Sequence, residues 1–263
     1  MNAAPKLVEL VFEVPWSHPA WVLEDEPVSE SAVQDGASDA MASTLRAWAR
    51  REARAAMVRR NLAVRWDKDN PRVGVDPDVC LLDPPPATPE AELTGLRLWE
   101  RGNHPPRVAF EVVSASTARK DYDEGPRKHA ASGARELWVF DPLRLGPDDG
   151  GGPWRIQVWS RGPRGEFRRT YAGDGPARSA ELGAWLRVSD DGMLLRVCDD
   201  PAGTRPWPTE AEEARDAARQ RDAVAAQRDA VAAQRDAVAE ERDAALARVA
   251  ELEALLAKGR DGR

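Results

Sequence analysis

The most regular pattern of apolar and polar residues lies in the C-terminal segment, residues 208–263. Ala, Arg, Asp, Glu and Gln dominate this segment, and a seven-residue unit, RDAVAAQ, occupies residues 221–227 and again 228–234. A seven-residue repeat is typical of a long helix that packs as a coiled coil. We therefore predict a helix from Glu210 to Ala257, which forms a tail on a body made by residues 1–207.

The apolar residues of this repeat predict how the tail packs. Residues that return every seven positions are Val224, Val231, Val238, Ala245 and Leu252. Four residues after each of these, the first three heptads carry Arg, whereas the last two carry Val249 and Leu256. A coiled coil needs apolar residues at both seam positions, so the seam is stronger toward the C-terminus. We expect homo-oligomerisation through residues 210–257. The alternative is a single solvated helix supported by the helix propensity of alanine.

The body alternates between patterns of period two and period 3.6. Met41, Leu45 and Trp48 lie on one face of a predicted helix over residues 38–60, and a short helix is predicted over residues 126–132. Strands are predicted over residues 7–14, 61–66, 73–82 with a break at Pro77, 107–114, 136–141, 154–160, 166–171 and 193–197. This order predicts a mixed α/β domain with a central sheet flanked by helices.

Composition narrows the class of protein. Of the 263 residues, 42% are hydrophobic, which is enough for a packed core, and no apolar run reaches the roughly 18 residues that a membrane span requires. The N-terminus lacks the pattern of a secretory signal. Two cysteines and three scattered histidines exclude a disulfide scaffold and a His/Cys metal centre, so we expect a reduced, cytoplasmic protein. The net charge of −7 argues against a surface coated in positive charge, but it leaves room for a local basic cleft.

Acidic residues within apolar strands are the first candidates for chemistry. Asp76 and Asp78 lie two residues apart, so they are expected to share one strand face. Glu111 lies in the middle of the apolar run VAFEVV. A buried carboxylate without a partner is costly, so Glu111 needs a cation, a hydrogen-bond donor or a metal. The alternative for each acid is a strand end that emerges into solvent.

Cations and a further carboxylate add to this set. Lys128 lies in the first turn of the predicted short helix, where a positive charge opposes the helix dipole. Local stability therefore does not explain Lys128, which favours a functional role over a solvated pair with Glu124. Glu52 interrupts the apolar stripe of the first helix, either as a boundary residue or as a carboxylate directed toward a site. Two carboxylates can hold Mg²⁺ near a phosphodiester, and a lysine can offset phosphate charge, which together suffice for a metal-dependent nuclease.

Several of these residues form a recognisable set. It comprises Pro77-Asp78, the strand Glu111-Val112-Val113-Ser114, Asp121, and the block Gly133, Glu136, Trp138, Asp141 and Pro142. This set, within residues 38–171, resembles the bacterial putative restriction endonuclease family of the PD-(D/E)XK superfamily. The resemblance implies a restriction-endonuclease-like fold, Asp78 and Glu111 as ligands of Mg²⁺ or Mn²⁺, and DNA as the substrate.

The chain departs from that family at its lysine. Val113 stands where the superfamily has a lysine two residues after the glutamate, and Gly125 stands where family members often place one in the next helix. Lys128 is the predicted substitute, with Asp121, Asp76 and Glu52 as second-tier site residues. His129 stands where a tyrosine is common.

Three hypotheses follow for the function. The first is a metal-dependent endonuclease, and the second is an inactive nuclease fold kept as a DNA-binding or protein-interaction module. The third is a dimeric scaffold without a role on nucleic acid. The Asp78–Glu111 pair favours the first hypothesis, whereas the overall acidity favours the other two.

Overall fold

The computed structural model describes residues 11–12, 14–23, 31–147 and 152–260 of the chain, with side chains up to residue 253. The chain divides into two compact units, Met1–Ala211 and Glu212–Arg263. Within the described residues, the first unit contains the strands and the candidate site, and the second unit is helical as far as Arg260.

Thirteen strands and three α-helices make up the described parts of the chain. The strands are β1 (Val11–Phe12), β2 (Met57–Arg60), β3 (Ala63–Arg65), β4 (Gly74–Val75), β5 (Val79–Leu82), β6 (Gly95–Arg97), β7 (Val108–Val112), β8 (Glu136–Phe140), β9 (Ile156–Arg161), β10 (Phe167–Gly173), β11 (Ala177–Ser179), β12 (Ala184–Val188) and β13 (Leu195–Cys198). The helices are α1 (Ala32–Arg51), α2 (Ala118–Ala131) and α3 (Glu210–Arg260).

A seven-stranded sheet forms the centre of the first unit, in the order β1-β10-β9-β8-β7-β5-β2. Strands β7 and β8 run parallel, and the other neighbours run antiparallel. Two three-stranded sheets, β11-β12-β13 and β4-β3-β6, accompany it. The predicted mixed central sheet with flanking helices is therefore confirmed.

Side chains of the central strands alternate between two cores. On β8, Trp138 and Phe140 pack into the core that contains the α1 stripe, whereas Leu137 and Val139 pack into the core that contains Ala130 of α2. Both faces of β8 are covered, which explains why the strand reads as a continuous apolar run rather than as an alternation.

Helix α1 begins and ends earlier than the sequence pattern predicts. The hydroxyl of Ser31 accepts a hydrogen bond from the backbone N–H of Gln34 at 3.2 Å and so caps the first turn. The helix ends at Arg51, and Ala53 has a φ of +48°, which a helix cannot contain. The following residues, Met57–Arg60, pair with β5 as an edge strand. The prediction of one helix over residues 38–60 is therefore wrong. The apolar residues near its end are compatible with either a helix or a strand, and pairing with β5 selects the strand.

Helix α2 is twice as long as the predicted short helix. It begins at Ala118 instead of Pro126 and ends before Gly133, which has a φ of +81°. Pro126 therefore lies inside the helix, and Lys128 lies in the last turn instead of the first. A cation in the last turn is favourable to the helix dipole, so the sequence argument that helix stability does not explain Lys128 is wrong.

The remaining strand predictions are confirmed, with ends that differ by at most two residues over the described part of the chain. The predicted strand over residues 73–82 breaks at Pro77 as expected, and its halves, β4 and β5, belong to different sheets. Residues 7–10 of the predicted first strand lie outside the described residues. Strands β2, β6, β11 and β12 are not predicted, and β2 falls in the segment predicted as helix.

Helix α3 confirms the long C-terminal helix. Its heptad residues Val224, Val231 and Val238 are exposed within the single chain. None of the helices within the described ranges has the length and apolar character needed to cross a membrane.

Candidate active site

The register of β5 and β7 brings Asp78 and Glu111 together. Val79 lies opposite Phe110 in this antiparallel pair, so the next pair along is Asp78 opposite Glu111. Residues directly opposite each other on antiparallel strands project to the same face. Because Val79 and Phe110 pack into the α1 core, the two acids lie on the face covered by α2. The backbone N–H of Asp78 donates to Oε2 of Glu111 at 3.4 Å, which ties the pair together.

Two neutral donors orient the carboxylate of Asp78. Its side chain is buried at the start of β5. Oδ2 accepts a hydrogen bond from the backbone N–H of Val112 at 2.6 Å, and Oδ1 accepts one from Nε2 of Gln34 at 3.0 Å. Neither donor carries a charge, so both hold the carboxylate in place without neutralising it.

Glu111 is enclosed by protein and contacts a histidine. Its Oε1 lies 2.7 Å from Nε2 of His129. Burial raises the pKa of Glu111 to about 8, against the opposing effects of the Asp78 N–H and the charge of Lys120. His129 is fully buried, which lowers its pKa to about 3, so its ring is neutral at pH 7. Among the residues that the structure describes, the other ring nitrogen, Nδ1, has no hydrogen-bond partner.

Asp121 is the third carboxylate of the cluster. It lies in the first turn of α2, and the hydroxyl of Thr117 donates to its Oδ2 at 2.5 Å. Burial, followed by the charges of Glu111 and Asp78, raises the pKa of Asp121 to about 8. The structure therefore brings this second-tier residue beside the two predicted metal ligands.

Two lysines of α2 lie near these acids. Lys128 is buried, and its Nζ lies 3.7 Å from Oε2 of Glu124. Burial and the neighbouring charge of Lys120 lower the pKa of Lys128, whereas Glu124 and Glu111 raise it. The exposed Lys120 acts on the pKa of Glu111 and of Asp121. Lys120 is thus a site cation that sequence reasoning missed.

Asp76 reaches the cluster from a different sheet. It follows β4, which pairs with β3, so it does not share one strand with Asp78, and the expectation of a common strand face is wrong. Although its side chain reaches solvent, desolvation by nearby protein raises its pKa, and the charges of Arg65, Lys120 and Lys128 oppose that shift. Asp76 is therefore a neighbour of the site on its solvent side.

Glu52 lies outside the cluster. It caps the C-terminal end of α1 and is exposed. Gln34, in the first turn of the same helix, contacts Asp78. Eighteen residues of helix separate Gln34 from Glu52, which corresponds to about 27 Å. The structure thus places Glu52 at the opposite end of α1 from the site.

The chemistry of these donors suits a hard divalent cation. Three carboxylates lie together, and the charge of Glu111 disfavours ionisation of Asp121, a repulsion that a bound cation would relieve. Over the part of the chain that the structure describes, no group of three or more His, Cys, Asp or Glu side chains is arranged so that it could hold a metal ion. Mg²⁺ is usually bound through only one or two carboxylates and several waters, so a pair of acids is enough. The carboxylates of Asp78 and Glu111 are therefore chemically suited to the Mg²⁺ or Mn²⁺ ion that the family resemblance implies.

Comparison with known proteins identifies the family. The model of the Uma2 family, described as putative restriction endonuclease, matches residues 23–162, more than half of the chain. The chain belongs to the putative restriction endonuclease family. A search of curated proteins finds no match. Among solved structures, a putative nuclease belonging to DUF820 from Anabaena variabilis is similar, at 12% identity and a TM-score of 0.40, over 59% of this chain and 76% of that one.

Some residues that carried the resemblance to the Uma2 family have structural roles here. Glu136 is fully buried, accepts from the indole N–H of Trp138 at 2.5 Å, and accepts from the backbone N–H of Glu181 at 2.9 Å. Asp141 accepts from the backbone N–H groups of Leu145 and Gly146, each at 2.8 Å. These two acids fix strand and turn geometry, whereas Asp78, Glu111 and Asp121 make up the candidate site.

Sequence reasoning missed three residues that contact or influence the carboxylates of the candidate site. Lys120 and His129 were visible as polar residues after a candidate strand, and the correct length of α2 would have placed both of them over Glu111. Gln34 lies 44 residues before Asp78, and no local pattern marks it.

The raised pKa values predict how stability depends on pH. In the folded state without metal, Glu111 and Asp121 keep their protons up to about pH 8, whereas the unfolded chain loses them near 4.5 and 3.8. Folding therefore binds protons, and stability falls as pH rises toward 8. His129 acts oppositely, but only below its unfolded pKa of 6.5. We expect the urea concentration at the unfolding midpoint, measured in EDTA, to decrease as the pH is raised from 6.5 to 8.

Tryptophan fluorescence can follow this transition in wild type and in Glu111→Gln. The glutamine cannot ionise, and it removes one of the charges that add to the effect of burial on the pKa of Asp121. The variant should therefore show a flatter pH dependence. An equally steep fall in Glu111→Gln would show that other groups cause it.

Proposed function

We propose that the protein is a metal-dependent endonuclease that hydrolyses phosphodiester bonds in DNA, with Mg²⁺ or Mn²⁺ held by Asp78 and Glu111. The β5–β7 register carries this proposal, since its continuation sets the buried carboxylate of Asp78 beside the partly buried carboxylate of Glu111. Membership of the putative restriction endonuclease family supports nuclease activity in general.

Each side chain of the cluster has a role in this proposal. A bound divalent cation would polarise the phosphodiester and lower the pKa of a water. Gln34 and the N–H of Val112 hold the oxygens of Asp78 for that ion. Asp121, whose pKa is raised by burial and by the charges of Glu111 and Asp78, would release its proton when a cation binds and then add its charge to the site.

We assign Lys128 the role of the missing motif lysine. The motif lysine usually stands at the position of Val113. Here that side chain is buried in the apolar core that faces α2, and it supplies no positive charge to the site. The pKa of Lys128 depends on the charge of Glu111, which supports proximity to the predicted metal ligand. In this role Lys128 offsets charge on the substrate phosphate.

The substrate would bind through local rather than overall charge. Lys120, Lys128 and Arg65 surround the acids, although the chain carries a net charge of −7. A phosphate group brought to the cluster would meet these cations. The local charge thus supports nucleic acid as the substrate and predicts that binding weakens with salt.

The absence of lysine at Val113 and at Gly125 favours one alternative function. A nuclease fold that has lost its motif lysine can persist as a DNA-binding or protein-interaction module. Such a protein would bind its partner without cutting it, which separates the two functions experimentally.

A cleavage assay with the full chain tests the proposal. Duplex DNA, single-stranded DNA and RNA are incubated with Mg²⁺, with Mn²⁺, or with EDTA, and products are resolved by gel. We expect cleavage of DNA with either metal and none with EDTA. Retardation of DNA without cleavage in either metal would favour a DNA-binding module. No effect on any nucleic acid would refute the endonuclease and leave the protein-interaction module.

We also propose that the tail joins two or more copies of the chain. The heptad residues Val249 and Leu252 are exposed within the chain. In the earlier heptads the arginines pair with the adjacent aspartates, as Arg242 does with Asp243 at 2.7 Å, so their charge is partly offset. A second copy of the same repeat presents a matching apolar stripe, which makes self-association the simplest way to cover it.

Substituting both Val249 and Leu252 by lysine should dissociate the oligomer. Each lysine would put a charge into the seam at the heptads where both seam positions are apolar. The mass in solution, measured by light scattering after size exclusion, should fall to that of one chain. The matched control Glu251→Lys lies on the same turn away from the stripe and should keep the wild-type mass. A monomeric wild type would refute self-association.

A further inference from the structure

We propose that His129 is a positioning residue for Glu111, because its Nε2–H fixes Oε1 and leaves Oε2 to face a divalent cation. The inference rests on the proposed function, since it assumes that Glu111 binds the metal. It adds a residue on α2 to a site whose predicted ligands come from two strands.

The contact is short and both of its partners are fixed. His129 is fully buried, and its Nε2 lies 2.7 Å from Oε1 of Glu111. The backbone carbonyl of His129 accepts hydrogen bonds from the hydroxyl of Ser132 at 2.9 Å and from the N–H of Ala134 at 3.2 Å. These bonds hold the backbone of His129 at the end of α2, and full burial restricts movement of its ring.

The histidine is hard to explain by stability alone. Within the described residues its Nδ1 is buried without a hydrogen-bond partner, so Glu111 provides the polar contact of the ring. Burying an unsatisfied polar atom costs stability, and an apolar side chain of similar volume would avoid that cost. The arrangement makes sense if the orientation of Glu111 matters more than the stability of this end of α2.

A neutral donor is the suitable partner for a metal-binding carboxylate. When Glu111 is ionised, the Nε2–H tautomer of His129 donates to it and leaves the lone pair on Nδ1. Because the ring is neutral, it orients the carboxylate without cancelling the charge that attracts the cation. A lysine or arginine at the same place would form an ion pair and compete with the metal.

The second oxygen of Glu111 points to the rest of the cluster. Oε2 accepts the weak 3.4 Å hydrogen bond from the backbone N–H of Asp78. With Oε1 held by His129, rotation of the carboxylate is limited, and Oε2 stays on the side of Asp78. Groups that orient metal ligands in this way typically change metal affinity when they are removed.

Metal binding is the direct test, and it does not depend on catalysis. Mn²⁺ is titrated into the full chain and the free ion is followed by electron paramagnetic resonance, with Mg²⁺ competition as a second measurement. We expect His129→Leu to weaken Mn²⁺ binding about 10- to 100-fold. His129→Gln, which keeps an N–H donor on a more flexible side chain, should recover only part of the affinity and lie between His129→Leu and wild type.

A control on the same helix separates positioning from stability. The hydroxyl of Tyr122 donates to Oδ2 of Asp141 at 2.9 Å, outside the site. Tyr122→Phe removes a hydrogen bond to a buried carboxylate, as His129→Leu does, and should lower the unfolding temperature without changing Mn²⁺ affinity. If His129→Leu fails to fold, the comparison of His129→Gln with Tyr122→Phe still decides the question. Glutamine fixes Glu111 less rigidly than histidine does, so the His129→Gln protein should bind Mn²⁺ measurably more weakly than the Tyr122→Phe protein.

The outcomes distinguish this inference from the proposed function. Wild-type affinity for Mn²⁺ in folded His129→Leu would refute the positioning role and leave the endonuclease proposal intact. The same affinity in wild type, His129→Gln and Tyr122→Phe would refute it as well if the leucine variant is unfolded. A wild type that binds neither Mn²⁺ nor Mg²⁺ would overturn both proposals.

Discussion

Replacing Asp78 with alanine should abolish metal-dependent cleavage, with a loss in rate on the order of 10²–10³ or more, the cost of removing one preorganised electrostatic group from an active site. Asp78 supplies one of the two carboxylates that lie opposite each other on β5 and β7. Without it, Glu111 alone must hold the cation beside the scissile phosphate. The measurement is the single-turnover rate on duplex DNA in Mg²⁺ and in Mn²⁺.

Alanine at this position also leaves two donors without their acceptor. The backbone N–H of Val112 and the amide of Gln34 both donate to Asp78. An unsatisfied buried donor costs about 1–3 kcal/mol of folding free energy, so rates must be compared per folded molecule. Asp78→Asn keeps the shape and one acceptor oxygen, and it should lose cleavage with a smaller loss of stability.

Glu136→Gln provides the control for loss of a buried carboxylate. Glu136 is fully buried at the start of β8, where it accepts hydrogen bonds from the indole N–H of Trp138 and the backbone N–H of Glu181. This variant should lose stability but keep the wild-type rate per folded molecule. Cleavage by Asp78→Ala at the wild-type rate would remove Asp78 from the metal site, and with it the mechanism proposed for this pair.

The candidate site was predictable from sequence where it depends on strands. The apolar run VAFEVV placed Glu111 in a strand, and Pro77 marked the break that puts Asp78 directly before β5. Both features are local, since a short apolar run is typical of a buried strand and proline interrupts strand pairing. The register between β5 and β7, which sets Asp78 beside Glu111, joins segments that are distant in sequence, so no local signal predicts it.

The helix that completes the site could not be predicted in the same way. Proline is favoured in the first turn of a helix, so Pro126 indicated a helix start, although it lies inside α2. The consequence was a wrong position for Lys128 and no role for Lys120 or His129. Gln34 reaches Asp78 only because α1 lies over β5, a tertiary contact that no sequence period encodes.

Replacing Trp138 with alanine should lower the free energy of unfolding by about 3–5 kcal/mol, the range found for large aromatic residues in cores. Trp138 is fully buried on β8, packs into the α1 core, and donates to Glu136. The variant leaves a cavity in the centre of the sheet and removes one of the donors that Glu136 needs. Since a domain is stable by only about 5–15 kcal/mol, a large share of the molecules should unfold well below the wild-type temperature.

Urea unfolding followed by tryptophan fluorescence measures this effect without interference from the tail. All ten tryptophans precede residue 212, so the signal comes from the first unit and not from residues 212–263. The control is Trp16→Ala: the Trp16 side chain is 65% exposed, and its backbone carbonyl accepts the indole N–H of Trp66 whatever the side chain. The control should stay within about 0.5 kcal/mol of wild type, as surface substitutions usually do. A loss from Trp138→Ala no larger than that of the control would mean that β8 is not the centre of the core, and the support it gives to the Glu111 strand would have to come from elsewhere.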